Sequence, residues 1–279
     1  MRVDAHQHFW QCAQSWHSWP DAALPVIHRD FGPQELQPLM NRCQLTHSVL
    51  VQAQPDERET QWLLQLATRW PWIAGVVGWV DLADAQAPRR IAALCGQALR
   101  DGRSLLLGLR PMLQALHDER WILRRELEPA IDAMLAQELR FDALIRAPQL
   151  PVIGEFARRH PALPIVIDHG GKPPIANGAL EPWREQLALV ARCPNVYCKL
   201  SGLATEAGRE WQPQQLESCA RHILDCFGPE RVMWGSDWPV LNLASDHLQW
   251  YQLASGWLRS NEAAECAVFG GTARAFYRL

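Results

Sequence analysis

No stretch of the chain stays apolar for the roughly 18 residues that a spanning helix needs. The opening Met-Arg-Val-Asp-Ala-His also lacks the apolar core of a secretory signal, so a cytoplasmic protein with no membrane partner is expected. There is no excess of positive charge either: 27 Lys and Arg stand against 30 Asp and Glu, a formal net charge of −3. A polyanion would find no basic face on which to release its counterions, which argues against nucleic acid as a partner. The 8 cysteines (Cys12, Cys43, Cys95, Cys193, Cys198, Cys219, Cys226 and Cys266) form no C-x-x-C pair and read as reduced thiols. The Gly-Gly pairs at 170–171 and 270–271 fit neither G-x-G-x-x-G nor a P-loop, which leaves nucleotide binding unsupported. No Gly/Ser linker, low-complexity tract or internal repeat interrupts the chain, and one domain over residues 1–279 is expected.

What the chain does have is a globular composition, 48% hydrophobic and 20% charged, with 14 tryptophans for packing or for lining a pocket that takes a flat ring. Short β-branched or apolar runs recur at 1–8, 48–52, 75–80, 105–110, 141–145, 164–169, 196–201 and 232–237. Between them lie stretches of helical periodicity at 34–43, 57–70, 85–101, 127–139, 150–160, 180–192, 213–227 and 246–255, with a closing helix at 262–277. This alternation is the signature of parallel βαβ units. A doubly wound open sheet alternates in the same way, but eight repeats favour a closed (β/α)8 TIM barrel of α/β class. The longest irregular stretch, 12–31, follows the first strand and could cover an active site.

Catalytic groups of such barrels sit at the carboxyl ends of the strands. Those ends carry His6 and His8, Gln52, Arg110, Asp142, His169, Lys199 and Asp237. His6 and His8 are two apart, so a strand turns both rings to one face. The pair suits a divalent metal or hydrogen bonds to a single carbonyl oxygen, and it equally suits two loop histidines. His169 follows an apolar run and precedes two glycines; it faces the same mouth or caps the next turn. Asp237 ends Gly-Ser-Asp-Trp-Pro, where small residues would allow close approach of substrate, and it reads as a general base for water or as the N-cap of the following helix. Arg110 and Lys199 bring cations to the mouth, for a substrate oxygen or for a structural ion pair with a group such as Asp142.

The runs Asp-Ala-His-Gln-His-Phe-Trp at 4–10, Asp-His-Gly-Gly-Lys-Pro at 168–173, Lys-Leu-Ser-Gly-Leu at 199–203 and Gly-Ser-Asp-Trp-Pro at 235–239 together resemble the amidohydrolase superfamily. More narrowly, they resemble its amidohydrolase-2 lactonase branch, of sugar lactonases and pyrone-dicarboxylate lactonases. The resemblance spans essentially the whole chain and implies a metal-dependent-hydrolase-like barrel. It further implies that His6, His8 and His169 surround the reacting carbonyl, that Asp237 is the base, and that Arg110, Lys199, Asp142 and Gln52 contact substrate. The fifth strand lacks the lysine or histidine that commonly completes a metal site, so no binuclear centre is expected. The resemblance implies no required cofactor, or at most one zinc held by His6, His8, His169 and Asp237. It points to a small lactone, a sugar lactone before a pyrone dicarboxylate, with metal-dependent amide hydrolysis or decarboxylation as the alternative chemistry. A homo-oligomer is compatible with all of this.

Overall fold

A computed structural model describes every residue, Met1–Leu279. Eight parallel strands follow one another around the sheet in chain order: β1 (Val3–Gln7), β2 (His47–Val51), β3 (Ile73–Gly78), β4 (Leu106–Leu109), β5 (Arg140–Ala143), β6 (Ile165–Ile167), β7 (Val196–Leu200) and β8 (Val232–Trp234). The seam between last and first strands closes just beyond β8. There Asp237 N donates to His6 O and His8 N donates to Trp238 O, each at 2.8 Å. The residues expected to do chemistry therefore also complete the barrel's hydrogen bonding.

Helices α1 (Pro33–Arg42), α2 (Glu57–Arg69), α3 (Ala87–Gln97), α4 (Glu128–Ala136), α5 (Leu150–Arg159) and α6 (Trp183–Val190) follow the first six strands. In α2, Asp56 caps the first turn by accepting from Arg58 N, and Leu63, Leu64 and Ala67 recur on the buried face. After β7 come a short α7 (Leu203–Ala207) and the long α8 (Pro213–Phe227), and after β8 comes α9 (His247–Leu258). The expected closing helix is instead split into α10 (Glu262–Cys266) and α11 (Thr272–Tyr277) by an irregular turn at Ala267–Gly271. The break has a packing cause, since a Cβ at Gly270 would collide with Met1 O at the foot of β1.

Seventy buried residues pack between sheet and helices. A second cluster of 10, including Val3, Val49, Val166 and Met233, joins barrel residues to Phe276 and Tyr277 of α11. No helix is long and apolar enough to cross a membrane.

Candidate active site

Both His169 and Asp237 sit in left-handed backbone, at φ 55° and 58°. Such a conformation is unusual for side chains other than Gly, Asn or Asp, and holding it costs about 1 kcal/mol or more. His169 accordingly lies not on a strand, as expected, but in the turn Asp168–Gly171 that leaves β6. The turn throws its ring into the mouth, where the His6 and His169 ring centroids are 4.5 Å apart. Around Asp237 Oδ1 stand His8 Nε2 at 3.3 Å, His6 Nε2 at 3.7 Å and His169 Nε2 at 3.9 Å. The Asp237 carboxylate caps no helix; only its backbone carbonyl takes the next turn's N–H, from Leu241.

Two glycines make room for this cluster. A Cβ on Gly202, at φ +67°, would lie 2.7 Å from His169 Cγ, and one on Gly235 would lie 2.6 Å from His6 Cβ. The small residue before Asp237 therefore admits His6, not substrate as the motif suggested.

Ring orientations are fixed from behind. His8 Nδ1 donates to Val51 O at 2.8 Å, and His169 Nδ1 pairs with Ser201 Oγ at 2.9 Å. Burial depresses the pKa of His6 well below its ordinary value and that of His169 to about 4, the latter against the pull of Asp237. Burial alone would favour the neutral acid at Asp237, but His169, the hydrogen bond from His8 and His6 together hold it well below the usual carboxylate range. Asp237 is thus ionised across the working range, a state set by its neighbours and not by desolvation.

Arg110 closes one side. Its Nη1 lies 3.3 Å from Asp168 Oδ2 and 3.4 Å from His6 Nε2, and Nη2 donates to Gln52 O. Beneath this layer the expectations for Lys199, Asp142 and Gln52 need correction, because all three are fully buried and none lines the cavity. Lys199, one of only two lysines in the chain, sits with Nζ 2.5 Å from Asp142 Oδ2, 3.0 Å from Asp168 Oδ1 and 3.2 Å from His6 Nδ1. Asp142 also accepts from Tyr277 Oη at 2.7 Å. Gln52 Nε2 donates to Arg110 O at 2.7 Å. In a barrel, inward side chains stack in layers, and these occupy the one below the mouth. From there Lys199 contacts His6 and Gln52 contacts Arg110.

Asp168 is the residue that sequence reasoning passed over. It is wholly buried, and burial opposes its charge, but Lys199, His6 and Arg110 hold its carboxyl far below the ordinary value. Its position directly after the apolar run of β6 was the available signal.

Above the cluster opens a cavity of about 480 Å3, within the ordinary range for small-molecule sites. The segment that follows each strand except β3 sends residues to it: His8, Gln54, Arg110, Leu144, His169, Glu206 and Asp237 among them. The loop 12–31 covers it as expected, with Ser18 and Trp19 in the wall and both backbone N–H groups donating to Gln54 Oε1, at 3.0 and 3.3 Å. Lys172 and Glu206, neither picked out from sequence, face each other across the rim at 3.5 Å. Glu206 arrives on α7, a helix that no periodicity announced.

Glu59 holds the Gln54 corner from below, its Oε2 accepting from Ala53 N at 2.9 Å and Gln54 N at 2.7 Å. Burial pushes its pKa up from 4.5 to about 8, in spite of those two hydrogen bonds. Between these values the unfolded chain gives up a proton that the folded one keeps, so this group's contribution is fully present below pH 4.5 and lost as pH rises through about 8. The difference is worth on the order of 5 kcal/mol. Glu59→Gln, which keeps the acceptor, should therefore flatten the decline in urea midpoint between pH 5 and 8 relative to the parent; parallel curves would refute the assignment.

The cluster also fits a single divalent ion. His6, His8 and Asp237 each offer a ligand atom within 4.8 Å of the others. The Nε2 atoms of His6 and His8 are 3.1 Å apart, close to the ~3.3 Å spanned by two nitrogens on one tetrahedral zinc with bonds of about 2.0–2.1 Å. With its Nδ1–H committed to Val51 O, His8 turns Nε2 inward, where a proton shared with Asp237 or a cation satisfies it.

A parallel barrel with three imidazoles and one aspartate gathered at its strand ends defines a hydrolase-type site, and the chain belongs to the amidohydrolase family, which it matches over residues 3–279. Among individual proteins it is 48% identical to an L-fucono-1,5-lactonase of Burkholderia ambifaria, over 100% of this chain and 96% of that one. It is 38% identical to an L-fucono-1,5-lactonase of Burkholderia multivorans, over 100% and 96%. An amidohydrolase structure from Burkholderia multivorans with bound zinc superposes with a TM-score of 0.92 at 38% identity, over 100% of this chain and 99% of that one.

Proposed function

We propose that residues 1–279 act as one catalytic unit that hydrolyses the lactone of a six-carbon sugar acid, of the L-fucono-1,5-lactone class. The observation that carries the reading is the convergence of His6, His8 and His169 on Asp237 Oδ1, with His8, His169 and Asp237 lining the cavity and His6 sealed directly behind them. Full-length identity of 48% to an L-fucono-1,5-lactonase supports the substrate class.

In the proposed reaction Asp237, already ionised, takes a proton from a water that attacks the ring carbonyl carbon. Negative charge grows on the carbonyl oxygen, and Arg110, a permanent cation in the cavity wall, stabilises it. The carbonyl–ring oxygen bond then breaks, and Asp237 returns its proton to the departing hydroxyl. His6 and His169, kept neutral by burial, fix the carboxylate's direction. When bound by His6, His8, His169 and Asp237, a divalent ion such as zinc would polarise the carbonyl and lower the pKa of water. No cofactor beyond one such ion enters the proposal.

The rim favours a hydroxylated ring over a pyrone dicarboxylate. Of the cations facing the cavity, Lys172 is paired to Glu206 and Arg110 to Asp168, so there is no surplus charge for two carboxylates. Trp19 offers a flat face for the sugar ring. A panel of aldonolactones and pyrone carboxylates, followed by acid release with and without chelator, tests this. The expected result is fastest turnover on the 6-deoxyhexono-lactones. Turnover confined to pyrones, or none on any lactone, would overturn it.

A further inference from the structure

A second group of metal-ligating side chains lies outside the barrel, on the loop that covers the cavity. Cys12 Sγ and a ring nitrogen from each of His17 and His28 all lie within 4.8 Å of one another. These three residues come from the two ends and the middle of one segment, whose base is closed by the antiparallel bridge between Trp10 and Phe31. His17 Nε2 donates to Pro20 O at 3.0 Å, which fixes the tautomer and leaves Nδ1 as the free lone pair. That Nδ1 is buried and has no hydrogen-bond partner. A buried nitrogen with no partner is unfavourable unless something satisfies it. The carbonyl behind His17 is the kind of partner that metal-bound histidines use. Asp30 adds negative charge beside the thiol, its Oδ1 accepting from Cys12 N at 2.8 Å.

We propose that Cys12, His17 and His28 form a site for one thiophilic divalent ion of the zinc class, which staples the covering loop and so holds Trp19 and Ser18 over the cavity. One thiolate and two imidazoles select zinc or cobalt over magnesium or calcium, and the fourth position stays open to water. The site is distinct from the barrel cluster, which offers only nitrogen and oxygen.

That difference supplies the test. Reduced protein stripped by chelator and desalted is titrated with Co2+ alone. The expected result is a thiolate-to-cobalt charge-transfer absorption in the near ultraviolet that saturates by about two equivalents, the barrel cluster taking up the other ion, and that fades as Zn2+ is added. It should vanish in Cys12→Ser and fall at least several-fold in His28→Gln, whose position is exposed and safe for folding. Zn2+ should also slow tryptic cleavage at Arg29, within the loop, in the parent but not in either variant. Absence of the band at stoichiometric Co2+, or its persistence in Cys12→Ser, would overturn the proposal.

Discussion

Asp237→Asn should lower turnover on the preferred lactone by about 10²–10⁴-fold, the usual cost of removing a general base, while the melting temperature stays within a few degrees of the parent. Asparagine is the right replacement because it tolerates the left-handed backbone that position 237 adopts at φ 58°. It also keeps an oxygen for His8 and His6 to point at. What it loses is the capacity to accept a proton from water, so the loss should fall on kcat more than on KM. Steady-state kinetics paired with thermal melting would check it. Near-normal kcat in a folded Asp237→Asn protein would remove Asp237 from the role of base.

A second large effect is expected beneath the site. Lys199→Met should destabilise the fold by about 3–5 kcal/mol, because a wholly buried cation shared by Asp142 and Asp168 is withdrawn and both carboxylates stay behind. For a chain of this size that is a fall in melting temperature of roughly 10 °C. Exposed pairs such as Arg124 with Asp118 lie at the surface, where solvent screens them, and breaking one should cost far less. Adding Asp142→Asn to Lys199→Met should recover part of the loss, since it removes one stranded charge, whereas a merely steric role for the lysine stem would give no recovery. Activity should fall as well, because Lys199 Nζ contacts His6 Nδ1. Calorimetry on the single and double variants decides the matter: a single-variant loss below about 2 °C would show that the network does not depend on this charge.

Much of the fold was legible in the sequence because it rests on local chemistry. Every strand of the barrel lies inside or within two residues of an expected run, since alternating apolar runs and helical stretches are periodic signals that each segment carries by itself. Three features escaped, the first being that the helix expected over 85–101 ends at Gln97 and Leu99–Arg100 pairs antiparallel with Arg103–Ser104. The helix α7 is five residues long, too short to show a period, and the break at Ala267–Gly271 is imposed by Met1, more than 260 residues away in the chain. The same division runs through the site. His6, His8, His169 and Asp237 could be named because barrel enzymes place chemistry at strand ends and because ordered motifs mark them. Asp168 and Glu206 could not, since their significance lies in what stands opposite them.

By itself, then, the sequence determined the eightfold alternation, the strand ends that carry polar groups, and the family, all properties of short segments and their order. Only tertiary structure decided which polar residues face the cavity and which are sealed below it. Lys199 and Arg110 are both cations at strand ends, yet one is buried between two carboxylates and the other borders the cavity. Depth within the barrel follows from strand register and from the residues packed above and below, and neither is written in any one segment.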